Sequence, residues 1–257
     1  MNDALFIAAT GMQAQQTNVD TIANNIVNAT TTGFKRSTVS FTDLVTNQSR
    51  PSVAGAANGL LGGGVNIGMG VGLMTVGRLF EAGELKKTGS QYDLAVQGDG
   101  FIELMMPDGA KAVTRGGTLK INGDGLLATQ SGVPLKPGIS IPDGALSLII
   151  AADGRVQVTL PGQTGPQDVG QLELVRFSNT EQLSAVGDNV YRVADNAAEL
   201  RSGDGAGTFA QGALESSNVK MVDEMVNLVL AQRAYDASVK VIQASDEMLA
   251  AANNLRR

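Results

Sequence analysis

The chain is 257 residues long, carries a formal net charge of −6 and contains no Cys, His or Trp. Those absences exclude thiol nucleophiles, imidazole bases, disulfides and nearly every transition-metal site, and the acidic balance argues against nucleic acid as a main partner. Its length suffices for a buried core in one or two domains.

Residues 3–27 are predicted to form the first helix. Alternating steps of three and four align Leu5, Ala8, Met12, Gln15, Val19, Ile22 and Ile26 on one seam, the spacing that keeps a stripe turned toward a partner helix. Thr30-Thr31-Thr32-Gly33 is poor helix material and closes this first segment, residues 1–33. The start of the chain has Asp3 where a secretory signal would be basic, so no cleaved signal is expected.

Residues 34–91 read as an extended connector, with a short strand-like piece at Val39 and Phe41 and a Gly-rich stretch over 47–72. Gly68-Met69-Gly70-Val71-Gly72 lacks the Lys-Ser/Thr and the spacing of a phosphate loop, and a flexible or closely packed backbone is the better reading. Residues 92–193 read as an all-β domain. Asp-Gly pairs at Asp99, Asp108, Asp124, Asp143 and Asp153 supply the positive φ of tight turns. Between them Phe101–Leu104, Arg155–Leu160 and Gln171–Leu174 look like strands of a sandwich or barrel. The longest apolar run, Ala145–Ala152, is too short to span a bilayer, so no transmembrane segment is expected.

A return connector over 194–217 leads to a second helix over 218–257, with Ser217 or Asn218 as its cap. Its seam runs Met221, Met225, Leu228, Gln232, Tyr235, Val239, Ile242, Asp246 and Leu249. Ala9, Ala23, Val222, Val226 and Val229 lie off the seams and form a second stripe suited to neighbouring chains. The expected fold is α+β: N- and C-terminal helices forming a coiled-coil-like module, with an inserted extended connector and an all-β middle domain. The expected self-assembly residues are Leu5, Met12, Val19, Ile22, Ile26, Met221, Met225, Leu228, Tyr235, Val239, Ile242 and Leu249.

No catalytic constellation emerges. Glu81, Glu84, Asp99 and Glu103 are the nearest candidates for an acid and base pair, but only ten aromatics occur to build a sugar platform. The Asp-Gly aspartates form no calcium-loop array. Ser and Thr lack a His to activate them. Lys35-Arg36 and Lys86-Lys87 read as isolated, solvated basic pairs. The expectation is a non-enzymatic protein without cofactor, catalytic residues or metal. The rival reading is an extracellular β-domain binding module, directed at glycans, carried on a coiled-coil stalk.

Ile7–Asp20, Ile22-Ala23-Asn24-Asn25-Ile26 and Thr32-Gly33-Phe34-Lys35-Arg36 resemble the N-terminal signature of the bacterial flagellar rod and hook proteins. Gln211-Gly212, Leu214-Glu215, Ser217-Asn218-Val219, Glu224-Met225-Val226 and Gln232-Arg233-Ala234-Tyr235 are similar to that family's C-terminal one. Asp93–Phe101 and Pro107-Asp108-Gly109 match between them. The resemblance implies a structural subunit exported unfolded by the flagellar type III apparatus and assembled with its own copies into a helical, tubular shaft across the periplasm. It places the terminal helices inside that tube and the β-domain outside. It further implies proximal rod proteins, hook-side proteins and bushing rings as neighbours. Ala14–Asp20 and the chain length are most like the family's distal-rod branch, with a proximal rod or hook-type subunit as the alternative. The chain departs from the family wording at Gly116, where an Asp is expected, and at Val45, where an aromatic is expected.

Overall fold

The structure, a computed structural model, describes residues 2–48, 65–162, 165–194, 199–201 and 206–254. It is α+β, with one long helix near each end and a mostly β middle. The chain divides into two compact units: Met1–Ile26, Ser37–Gly77 and Met221–Arg257 form the first, Val27–Arg36 and Arg78–Lys220 the second.

The first unit contains helix α1 (Asn2–Val27), helix α2 (Met221–Asn254) and a two-stranded sheet of β1 (Ser37–Gln48) and β2 (Val65–Arg78). The Gly-rich stretch expected as linker is therefore partly strand; its residues 49–64 lie outside the described residues. From Val65 to Leu73 apolar residues alternate with Asn or Gly, a period-two pattern that a pleated strand satisfies. Gly70 explains why one side of that alternation is so small. With φ at 111°, a Cβ there would overlap Thr10 Oγ1 and lie 3.4 Å from Ile7 Cα, so β2 runs directly over the backbone of α1. Gly68–Gly72 is thus part of a strand, closely packed at Gly70 and Gly72.

Helix α2 starts at Met221, later than the expected cap at Ser217 or Asn218. Ser217 Oγ accepts from Val219 N at 3.2 Å, forming a local turn. The Asn218 amide is engaged with other segments and is not free to cap. Asp223 and Glu224 supply acid to the first turn, where the helix dipole favours it.

The second unit holds β3 (Leu85–Lys87), β4 (Asp93–Gln97), β5 (Phe101–Met105), β6 (Lys111–Thr114), β7 (Gly116–Ile121), β8 (Leu127–Thr129), β9 (Ser147–Ile150) and β10 (Arg155–Thr159). After them come β11 (Gln167–Gln171), β12 (Leu174–Phe177), β13 (Leu183–Gly187), β14 (Val190–Val193), β15 (Glu199–Arg201), β16 (Thr208–Gln211) and β17 (Ala213–Glu215). They pair as a six-stranded sheet β13-β14-β6-β5-β12-β15, a four-stranded sheet β16-β4-β7-β8, a three-stranded sheet β11-β10-β9 and the pair β17-β3. Leu94, Ile102, Leu127, Leu135, Val156, Val158 and Leu172 fill the main core. A second core of Phe101, Val113, Phe177 and Tyr191 is buttressed by Phe80, whose ring meets Phe101 and Tyr191 edge to face.

Four of the five Asp-Gly pairs place the glycine at φ between 73° and 88°, the turn role expected of them. At Asp99-Gly100 the constraint is different: a Cβ on Gly100 would stand 2.5 Å from Ala206 O. Gly116, where the family wording has Asp, adopts φ 108° with its missing Cβ facing Leu94 O, a conformation that favours glycine.

Candidate assembly surface

Two contacts fix how the terminal helices pair. Asn25 Nδ2 donates to Glu224 Oε2 at 3.1 Å, and a Cβ on Gly11 would lie 3.6 Å from Ser238 Oγ. The chain runs fourteen residues down α1 from Asn25 to Gly11 and fourteen up α2 from Glu224 to Ser238, so the helices are antiparallel in a single register.

The covered face of α1 carries Ala8, Met12, Val19, Ile22, Asn25 and Ile26. Of the seam residues expected there, Ile22 is buried and Leu5, Met12, Val19 and Ile26 are half-buried. On α2 the covered face runs Glu224, Leu228, Ala231, Ser238, Ile242, Ser245 and Leu249. Leu228, Val239, Ile242 and Leu249 fall on or beside it, whereas Met221, Met225 and Tyr235 are 41%, 49% and 39% exposed. The covered line starts at Glu224, one residue from the expected seam position Met225. Its cause is chemical. The buried Asn25 and Glu224 must face each other, and Gly11 against Ser238 admits a closer approach than a Met or Tyr would.

Asn25 also ties the sheet to the helix. Its Nδ2 donates to Ser37 O at 2.9 Å and its Oδ1 accepts from Ser37 N at 2.9 Å, so the side-chain amide pairs with the first residue of β1 as a neighbouring strand would.

Elsewhere in this unit many described apolar side chains are exposed. Of twenty-five large hydrophobic residues exposed in the described chain, nineteen belong to the first unit. Val222, Val226, Val229 and Leu230 line α2, Phe6 and Ile7 the start of α1, and Leu73, Met74 and Val76 the ribbon. A monomeric protein rarely leaves so extended an apolar surface to water.

In the second unit, the residues sequence reasoning missed form a buried ionic cluster. Lys35, expected in water, is wholly buried, its Nζ 2.7 Å from Glu215 Oε1 and donating to Glu81 O at 2.7 Å. Arg115 Nε reaches Glu215 Oε2 at 3.1 Å, and its guanidinium also donates to Gly98 O at 2.7 Å and Gly100 O at 3.2 Å. Gly83 N donates to Glu215 Oε1 at 2.8 Å. Burial pushes the Glu215 carboxyl up, but the Arg115 charge and the Lys35 contact outweigh it and hold the group below its usual range. Burial dominates at Lys35 and lowers its pKa. Burial likewise raises the Tyr191 phenol.

Asn218 completes the arrangement: Oδ1 accepts from Arg36 N at 2.7 Å, and Nδ2 donates to Leu79 O at 2.8 Å and Glu81 O at 3.2 Å. The available signal was only that Lys35, Glu215 and Asn218 fall within the signature stretches near the two chain ends. Lys86 and Lys87 are exposed, as expected. The candidate carboxylates do not converge, since Asp99 faces Arg176 and Glu103 faces Lys136. No helix of the described residues is long and apolar enough to cross a membrane.

A module made from both ends of the chain, with a self-contained β-domain inserted and an apolar surface left open, defines a structural subunit. Comparison with known proteins gives the family. Residues 5–35 match the flagella basal body rod protein profile, residues 95–158 the flagellar hook protein FlgE/F/G D1 domain, and residues 210–255 the flagellar basal body rod FlgEFG protein C-terminal profile. The flagellar basal-body rod protein FlgG of Borreliella burgdorferi is 40% identical over 264 residues, covering the whole of both chains. FlgG of Caulobacter vibrioides is 42% identical over 259 residues, with 98% of this chain and 99% of that one covered. The rod protein FlgF of the same organism is 33% identical over 253 residues, covering 96% and 95%. The chain belongs to the flagellar basal-body rod protein family, a family of structural, non-enzymatic proteins.

Proposed function

We propose that this rod subunit builds the distal rod, polymerising through its terminal module into a hollow helical tube. The observation that carries the reading is the apolar surface of that module: Val222, Val226, Val229 and Leu230 on α2 and the ribbon residues around Met74 have no covering in the single chain. Burying them against sister chains gains about 1.5–3 kcal/mol per large side chain. Met221, Met225 and Tyr235, turned outward from the helix pair, join this contact, while Leu5, Met12, Val19, Ile22, Ile26, Leu228, Val239, Ile242 and Leu249 hold the pair that presents it.

The higher identity to FlgG than to FlgF of one organism supports the distal branch. In this reading the subunit spans the periplasm within the shaft and meets proximal rod proteins, hook-side proteins and bushing rings. Concentrated protein examined by electron microscopy and sedimentation tests it. Tubular polymers that form as concentration rises are expected; a monomer at every concentration overturns it.

A further inference from the structure

The segment 33–36 and the segment 215–218 lie side by side in the second unit and are cross-linked four times. Gly33 N donates to Glu215 O at 2.7 Å, Asn218 N to Phe34 O at 3.4 Å, Arg36 N to Asn218 Oδ1 at 2.7 Å, and Lys35 Nζ pairs with Glu215 Oε1 at 2.7 Å. Residue 33 thus meets 215 and residue 36 meets 218, so the two segments run parallel. The second unit begins at Val27 and ends at Lys220. Force pulling its two ends apart therefore draws one segment from its N-terminal side and the other from its C-terminal side. Parallel segments drawn from opposite ends are sheared, and all four links resist together.

Behind this point the geometry is reversed. Strand β17 pairs antiparallel with β3, Glu215 opposite Leu85, and β16 pairs antiparallel with β4, Gln211 opposite Leu94. Tension entering at residue 78 and at residue 216 would reach both strands of each pair at the same end. Such pairs open one hydrogen bond at a time and resist little.

We infer that residues 33–36 and 215–218 form a mechanical clasp, sheared under load, that shields the sheets of the β-domain from force arriving through the chain ends. Its backing fits the role. Glu215 is held from behind by Arg115 and Gly83, and Asn218 is lashed to a third segment at Leu79 and Glu81. The inference adds a mechanical function to the shaft reading and rests on it for its biological use, since a shaft subunit works under torque.

The test is single-molecule pulling on the full chain through its termini. The antiparallel terminal helices carry their free ends together and unzip first at low force. Rupture of the clasp then frees residues 37–214, about 600 Å of contour, in one abrupt event. In the variant K35M/N218A, which removes two of the four links, the force of that event falls about twofold with the contour unchanged. If that variant does not fold, K35M alone leaves Glu215 with Arg115 and Gly83 and reads a smaller drop of the same sign. The control V156A weakens the main core, where Val156 is fully buried, and leaves the rupture force unchanged although thermal stability falls. Unchanged force in the clasp variant that folds, or an equal loss of force in V156A, overturns the inference. Polymerisation of the wild-type chain is scored separately, so a failure of the clasp and a failure of the shaft reading give different results.

Discussion

Replacing Glu215 by Gln removes the carboxylate shared by Lys35 and Arg115, both almost without solvent contact. Breaking a buried ion pair costs about 3–5 kcal/mol because the surviving charge is stranded, and here two cations are stranded together. Lys35→Met is the informative opposite. Glu215 keeps Arg115 and the Gly83 amide, so the loss is the two hydrogen bonds the ammonium donates, to Glu215 and to Glu81 O, about 1.5–3 kcal/mol each, offset in part by removing a buried ammonium. The double variant K35M/E215Q should then cost less than the two single changes added, because the second change removes a cation that the first left unpaired. Urea unfolding of dilute monomer, followed by the β-sheet signal, measures all three. A cost below about 1 kcal/mol for E215Q, or strict additivity, would refute the reasoning.

The same pair sets the pH response. With its folded pKa held below 4.5, Glu215 contributes stability that is present above the unfolded value and lost as pH falls through the folded one. Wild-type unfolding therefore steepens below pH 4.5, and E215Q lacks that component. Lys35 gives the alkaline counterpart. Between its lowered folded pKa and 10.5 the unfolded chain binds a proton the folded chain has released, so stability rises with pH there. K35M flattens that rise.

Asn25→Ala removes two bonds to the Ser37 backbone and one to buried Glu224. It should destabilise the terminal module by about 2–4 kcal/mol, seen as faster amide exchange at Ser37; unaltered protection there would count against the clamp. Gly70→Ala forces an L side chain to a positive φ and onto Thr10, costing about 1–3 kcal/mol; wild-type exchange at the Val71 amide would contradict it. V226D with L230D places charge on the open face of α2, where both residues are more than half exposed. Polymerisation should be lost while the monomer melts as before, and filaments of normal length would be the contrary result. Polar replacement of Leu228 and Ile242 differs, since both are half-buried in the helix pair and monomer melting should fall as well.

The helices and the β middle could be read because periodicity and turn chemistry are local signals. Leu228, Ile242 and Leu249 recur at helical spacing whatever surrounds them, and an Asp-Gly pair states its backbone need in two residues. What stayed hidden was set by partners far away in the chain. Lys35 beside Arg36 looks like any solvated basic pair until Glu215, 180 residues on, is seen at 2.7 Å. On α2 the line covered within the single chain differs from the counted seam for the same reason, because counting apolar residues favours Met225 and Tyr235 over the polar Glu224 and small Ala231 and Ser238. Gly68, Gly70 and Gly72 allow either a flexible or a closely packed backbone, and at Gly70 it is the close packing, against α1, that the structure shows. Composition suggests linker, whereas the alternation from Val65 to Leu73, which that reading passes over, is the signal that the strand satisfies.

The distribution of charge and apolar surface between the two units follows from these positions. The β-domain holds its chain ends with Lys35, Glu215, Arg115 and Asn218, groups that must be satisfied inside one subunit because a buried charge left for a neighbour to neutralise would cost several kcal/mol until the neighbour arrived. The terminal module uses the opposite chemistry on its outer faces. Apolar side chains are tolerated in water while a subunit is alone, and their attraction is non-directional, growing with the area covered. Such surfaces suit a contact made late and repeated along a polymer. Directional polar bonds are kept for places where register must be fixed before assembly, as Asn25 fixes both Ser37 and Glu224. A subunit that reversed this allocation would fold only in company and would meet its neighbours in no definite orientation.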